Sequence, residues 1–85
     1  RLYSYYLRAD DLHWINGIPS QSSFRCNAKS RYRQADQNCR VNLADDESCV
    51  VFFDQPQRAL TPGQSVVFYE GQRCLGGGII SEVSG

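Results

Sequence analysis

The sequence predicts an all-β fold, a small closed antiparallel barrel of about six strands. Short segments rich in β-branched and aromatic residues recur about every 8–12 residues, as in barrels and sandwiches. Turn signals such as Asn16-Gly17 and Pro62-Gly63 separate them. No segment shows a convincing helical period. Closure is expected because 85 residues make one small domain, and a barrel leaves no sheet edge unpaired.

The first half of the chain predicts four extended segments. Leu2 to Leu7 and Leu12 to Ile15 are aromatic strands separated by Asp10-Asp11. A connector follows, and then a basic strand runs from Ser22 to Arg33. Cys39 to Leu43 is a short strand.

The second half begins with a solvated hairpin loop over Ala44 to Ser48. Cys49 to Phe53 is a continuous apolar run, which predicts a strand that is nearly buried on both faces. A type II turn at Pro62-Gly63 leads to a strand over Ser65 to Tyr69. The three glycines Gly76 to Gly78 then indicate a bulge, a barrel corner or a closely approaching backbone.

One domain over residues 1–85 is expected, with residues 1–16 either in the barrel or partly shared with a preceding central domain. The chain has no Met and no secretory or membrane-spanning pattern, so it reads as a piece of a longer cytoplasmic protein.

The basic strand is the most informative segment. A period of two places four cations and one amide on its outer side. They are Arg25, Asn27, Lys29, Arg31 and Arg33. Although the chain has no net charge, five cations and one carboxylate give residues 21–40 a charge of +4. Such a row suits a polyanion, most commonly nucleic acid, although it could also serve only solubility and edge protection.

Tyr32 stands between two arginines and offers a base-stacking ring, but the alternation turns it inward. Residues 41–60 carry the opposite charge, −3.

The four cysteines have no CxxC spacing, which argues against a zinc site. We interpret them as reduced, mostly buried thiols, the alternative being two disulfides in a secreted domain. They are Cys26, Cys39, Cys49 and Cys74.

No catalytic or metal-binding constellation is apparent. His13 has no partner at a telling spacing, and a structural role is expected for it. The glycine run lacks the Lys and Ser/Thr of a phosphate loop. The acidic triplet Asp45 to Glu47 could hold a cation, but a solvated turn is the simpler interpretation.

Several longer motifs resemble the C-terminal β-barrel domain of bacterial tRNA-specific 2-thiouridylases. They are LHWI at 12–15, RCNAK at 25–29, RYRQAD at 31–36, FDQPQRALTPGQS at 53–65, VFYEG at 67–71 and CLGGGII at 74–80. The order and spacing match over most of the chain.

This resemblance implies a barrel similar to domain 2 of translation elongation factors. It implies an enzyme that uses ATP to activate the wobble uridine of lysine, glutamate and glutamine tRNAs, and then inserts sulfur carried as a persulfide. The nucleotide-binding loop and the catalytic cysteines of the family have no counterpart here. The isolated chain is therefore expected to be inactive, with no cofactor or metal of its own. Its implied partners are tRNA, the upstream domains and a sulfur-relay donor protein.

By position, the resemblance assigns tRNA contacts to Arg31, Tyr32 and Gln64. The charge pattern adds Arg25, Lys29 and Arg33 as electrostatic support. A rival hypothesis is a protein–protein docking barrel that contacts the enzyme's other domains or the sulfur donor. Its contact surface would be aromatic and apolar: Leu2, Tyr3, Tyr5, Tyr6 and Trp14.

Overall fold

The computed structural model describes residues 3–31 and 34–84 and contains six β-strands. They are β1 (Tyr3–Trp14), β2 (Ser23–Lys29), β3 (Gln37–Leu43), β4 (Cys49–Arg58), β5 (Ser65–Glu70) and β6 (Arg73–Val83). Neighbouring strands are antiparallel, and the sheet closes in the order β1-β4-β3-β2-β5-β6. The predicted all-β barrel is confirmed. Within the described ranges, no helix is long and apolar enough to cross a membrane.

The barrel interior is filled by alternate residues from every strand. Phe68, Leu7 and Ile80 are the largest fully buried side chains. Trp14 closes one end of this core, and its ring stacks on that of Phe68 with centroids 5.6 Å apart. Trp14 is half-buried, so part of its side chain packs against the core and part remains accessible.

The first strand does not break at Asp10-Asp11, and this expectation was wrong. β1 is continuous, and the pairing with β6 shifts register between Asp10 and His13. Asp11 takes a positive φ of 56°. A bulge of this kind accommodates polar residues without ending the strand.

β4 also differs from the prediction of a strand that is nearly buried on both faces. Val51 and Phe53 point into the core, whereas Phe52 points outward and is 45% exposed. The outward ring packs against Tyr6 at a centroid distance of 5.5 Å. The Tyr6 ring on the neighbouring strand thus partly covers Phe52, which the apolar run alone had predicted to be buried.

The glycine run brings the backbones of β1 and β6 together. Gly76 has a φ of +147°, and a Cβ there would overlap the carbonyl oxygen of His13. A Cβ on Gly78 would lie 2.6 Å from the carbonyl oxygen of Asp10. The expectation of a bulge with close backbone approach is confirmed, since β6 shifts register after Phe68 on its β5 side.

The four cysteines are free thiols, three of them buried and Cys74 half-buried. Cys26 and Cys39 face each other across β2 and β3 with their sulfurs 3.8 Å apart. The hydrogen bond with Cys26 and burial both raise the pKa of the Cys39 thiol. These sulfurs act as small apolar core groups.

Candidate nucleic-acid interface

The outer face of β2 carries the start of the predicted cationic row. Cys26 and Ala28 are buried, whereas Arg25, Asn27 and Lys29 lie on the outside, as the period of two predicts. The strand ends at Lys29, so its predicted extension through Ser30 and Arg31 was wrong. Of the remaining candidates, Tyr32 and Arg33 lie outside the described residues.

Strand β2 ends where the Gln34 side chain accepts a hydrogen bond from the backbone. The Ser30 N–H donates to Oε1 of Gln34 at 2.9 Å, and the Gln34 N–H donates to the Arg31 carbonyl at 3.3 Å. Because Gln34 takes the place of a neighbouring strand, the chain turns here instead of pairing further. We call residues 30–36 the basic loop; Arg31 is exposed on it.

Gln34, near the end of the basic loop, is joined to the barrel through amide side chains. Nε2 of Gln34 donates to Oε1 of Gln57 at 3.0 Å, and Nε2 of Gln57 donates to Oε1 of Gln37 at 3.1 Å. Gln57 lies on β4 and is only 3% exposed. These amide hydrogen bonds hold the Gln34 side chain against β4.

The cations of the row differ in their partners. Arg25 forms an ion pair with Asp54, and that hydrogen bond raises the pKa of the guanidinium. The Lys29 ammonium lies 3.6 Å from Asp36. In the part of the chain that the structure describes, no carboxylate lies within salt-bridge distance of Arg31. Arg31 can therefore take an external anion without first breaking an internal ion pair.

Arg31 and Lys29 line a common cleft of about 340 Å³ between the end of β2 and the start of β5. Its other lining residues are Ser30, Ser65, Val67 and Tyr69. Arg25 instead lines a separate depression near the loop after β1. Of the three candidate cations that the structure describes, two are thus brought together and Arg25 is separated from them.

Gln64 directly precedes Ser65 in the sequence, but it is not among the residues that line this cleft. Oε1 of Gln64 accepts the Thr61 N–H at 3.2 Å, closing the turn that contains Pro62-Gly63. Its own backbone carbonyl accepts the Ile80 N–H at 2.8 Å. One lone pair of the side-chain oxygen is therefore used, and the amide NH₂ is able to donate to a ligand.

Tyr69 is a residue of the cleft that the sequence reasoning missed. The Lys29 ammonium lies over its ring, 5.7 Å from the centroid, within the range of a cation–π contact. The alternation of β5 would have indicated this position. Val66 and Phe68 are buried, so Val67 and Tyr69 must point outward.

The acidic loop after β3 is a hydrogen-bonded turn. Asp46 accepts hydrogen bonds from the Ser48 hydroxyl at 2.5 Å and from Arg8 at 2.7 Å. The hydrogen bonds from Ser48, together with the charge of Arg8, lower the pKa of the Asp46 carboxyl. Among residues 3–31 and 34–84, no cluster of three His, Cys, Asp or Glu side chains could hold a metal ion.

Comparison with known proteins agrees with this architecture. Residues 4–80 match the aminomethyltransferase β-barrel domain family, and the chain belongs to it.

Individual relatives show which proteins of this family the chain is similar to. The chain is 61% identical over 83 residues to the tRNA-specific 2-thiouridylase MnmA of Hahella chejuensis, covering 98% of this chain and 22% of that protein. MnmA of Haemophilus influenzae is 55% identical over 82 residues, covering 96% of this chain and 21% of the relative. The chain thus spans about a fifth of these relatives. The resemblance to the C-terminal barrel domain of tRNA-specific 2-thiouridylases is confirmed.

Proposed function

We propose that this chain holds tRNA for a 2-thiouridylase that acts in the cytoplasm. The complete enzyme would use ATP to activate the C2 oxygen of the wobble uridine in lysine, glutamate and glutamine tRNAs. Persulfide sulfur from a relay donor protein would then replace that oxygen. The names of the relatives support this activity. ATP binding and catalysis would belong to the upstream domains, and the 85-residue chain alone would be inactive.

The barrel's contribution would be to position the tRNA. Orientation of a bound substrate can supply on the order of several kcal/mol of barrier lowering. Arg31, Tyr32 and Gln64 would make the direct contacts, with Lys29 and Arg33 adding charge. Arg25 is a weaker candidate because Asp54 already neutralises it.

The observation that carries this proposal is the position of Arg31. Its backbone carbonyl accepts the Gln34 N–H, and its side chain lies beside a second cation, with no carboxylate partner among residues 3–31 and 34–84. A guanidinium of this kind can form paired hydrogen bonds to a phosphate group without first breaking an internal ion pair.

Substitution of Arg31 in the full-length enzyme tests the proposal. Arg31→Ala is expected to weaken tRNA binding about tenfold, because a charged hydrogen bond is lost. The slope of log affinity against log salt should become shallower by about 0.7–0.9. ATP affinity should stay unchanged. Arg73→Ala is the matched control, since Arg73 is exposed but pairs with Glu70 outside the cleft. Unchanged tRNA affinity in Arg31→Ala would refute the site assignment.

Docking to another protein surface is the second candidate function. It is favoured by the exposure of Tyr3, Tyr5 and Phe52, which are 53%, 57% and 45% accessible on the outside of β1 and β4. Tyr6 adds a half-buried ring beside them. Salt separates the two candidates, because apolar docking persists at ionic strengths that remove phosphate contacts.

A further inference from the structure

We propose that the cleft between β2 and β5 binds one unpaired nucleotide of the RNA, with its base on Tyr69 and its phosphate on Arg31 and Lys29. This inference rests on the proposed tRNA-holding function. It adds which part of the RNA the cleft recognises: an unstacked nucleotide rather than the backbone of a duplex.

The cleft exists because two strands separate. β2 pairs with β5 from Asn27 to Lys29, opposite Tyr69 to Val67, and then leaves for the basic loop. β5 extends two residues further, to Ser65, without β2 beside it. The outward side chains at this fork therefore surround a concavity, whose volume of about 340 Å³ lies within the usual range for small-ligand sites.

The chemistry of the walls matches the parts of a nucleotide. Val67 and Tyr69 provide an apolar and aromatic surface, on which a base can stack. Arg31 and Lys29 provide positive charge for a phosphate. Ser30 and Ser65 add hydroxyl groups that can hydrogen-bond a ribose or a base edge.

The Lys29 ammonium shows which part of Tyr69 is available. It lies over the ring, so this ring face contacts the ammonium and becomes available to a base when Lys29 moves. The Lys29 side chain is 34% exposed, and its ammonium lies 3.6 Å from the Asp36 carboxylate. An incoming phosphate can replace that carboxylate, and the base then takes the place of the ammonium over the ring.

A half-buried ring in a concavity selects against duplex RNA. In a duplex, each base is stacked between its neighbours, and only the phosphates and the groove edges reach a protein surface. A base can enter this cleft only from a loop, a bulge or a single strand. The aromatic wall therefore adds affinity for unpaired RNA alone, whereas Arg31 adds affinity for unpaired and duplex RNA alike.

The experiment compares two RNA probes on the 85-residue chain at low salt: single-stranded oligouridine and a duplex with the same number of phosphates. Wild type should prefer the single strand. Tyr69→Leu should lose about tenfold in affinity for the single strand, with the duplex unchanged. Tyr69→Phe keeps the ring and should bind like wild type. Tyr5→Leu removes an exposed tyrosine on β1, outside the cleft, and serves as the control.

The outcomes separate this inference from the proposed function. Equal binding of both probes by wild type and Tyr69→Leu, or no binding of either by wild type, overturns the nucleotide cleft. The Arg31→Ala test on tRNA binding by the full-length enzyme decides the proposed function independently. Should Tyr69→Leu fail to fold, the nucleotide cleft is tested instead by the uracil proton shifts in the NMR spectrum of the wild-type complex with oligouridine. An upfield shift caused by the Tyr69 ring supports the cleft, and its absence overturns it.

Discussion

Replacing Gly76 by alanine should destabilise the barrel more than any other single methyl addition in the glycine run. Gly76 has a φ of +147°, a conformation that side chains rarely adopt. An added Cβ would also overlap the His13 carbonyl oxygen and lie 3.0 Å from Trp14 Cα. Both neighbours are backbone atoms of β1, so no side chain can rotate away to relieve the contact.

Two costs add up at this position. The unfavourable φ costs about 1–3 kcal/mol, and forcing extra volume into packed backbone costs about 1–3 kcal/mol more. The expected loss in the free energy of unfolding is therefore about 2–6 kcal/mol. A domain of 85 residues has a total stability of about 4–13 kcal/mol. The substitution thus removes a large part of what holds the barrel together.

The Tm of Gly76→Ala should fall by at least about 10 °C, measured by circular dichroism. Gly71→Ala is the matched control, because Gly71 has a φ of +61° but no atom within 4 Å of its added Cβ. That variant should lose only about 1 kcal/mol, from the backbone alone. Equal losses in the two variants would refute the argument that β6 lies too close to β1 for a side chain.

Two further predictions concern ionisation and thiol access. The pKa of Asp46 is lowered by hydrogen bonds from Ser48, so its carboxylate stabilises the fold above the ordinary Asp value of about 3.9. This contribution is lost as the pH falls through the lower folded value. Asp46→Asn should therefore be less stable than wild type at neutral pH in urea unfolding, and the difference should shrink in acid; a difference independent of pH would contradict this. Cys74, half-buried, should react with a thiol reagent before Cys49, whose pKa burial raises to about 12. Early modification of Cys49 in the folded protein, located by mass spectrometry, would contradict the buried placement.

Sequence patterns predicted the parts of this fold that depend on local alternation. In β2 the buried Cys26 and Ala28 and the outward Lys29 follow from a period of two. The close backbone at Gly76 follows from the absence of side chains there. Each of these features depends on residues adjacent in sequence, and local sequence is therefore sufficient to indicate them.

The remaining features depend on partners far apart in the chain. The end of β2 is set by Gln34, whose side chain is in turn held by Gln57, 23 residues away. The neutralisation of Arg25 requires Asp54, 29 residues away. The row of cations consequently looked uniform in the sequence, although the folded barrel leaves Arg31 without a carboxylate partner among residues 3–31 and 34–84.

Closure of the sheet decides how another molecule can recognise this barrel. Each of the six strands has a hydrogen-bonded neighbour on both sides. Most strand backbone is therefore already paired, except for stretches such as Ser65 and Val66, and little of it is left for an extended peptide or a second copy to pair with. Partners must read side chains on the outer face and in the loops. Under the proposed function, recognition would consequently change through single substitutions at positions such as Arg31 or Tyr69, while the interior that specifies the fold stays the same.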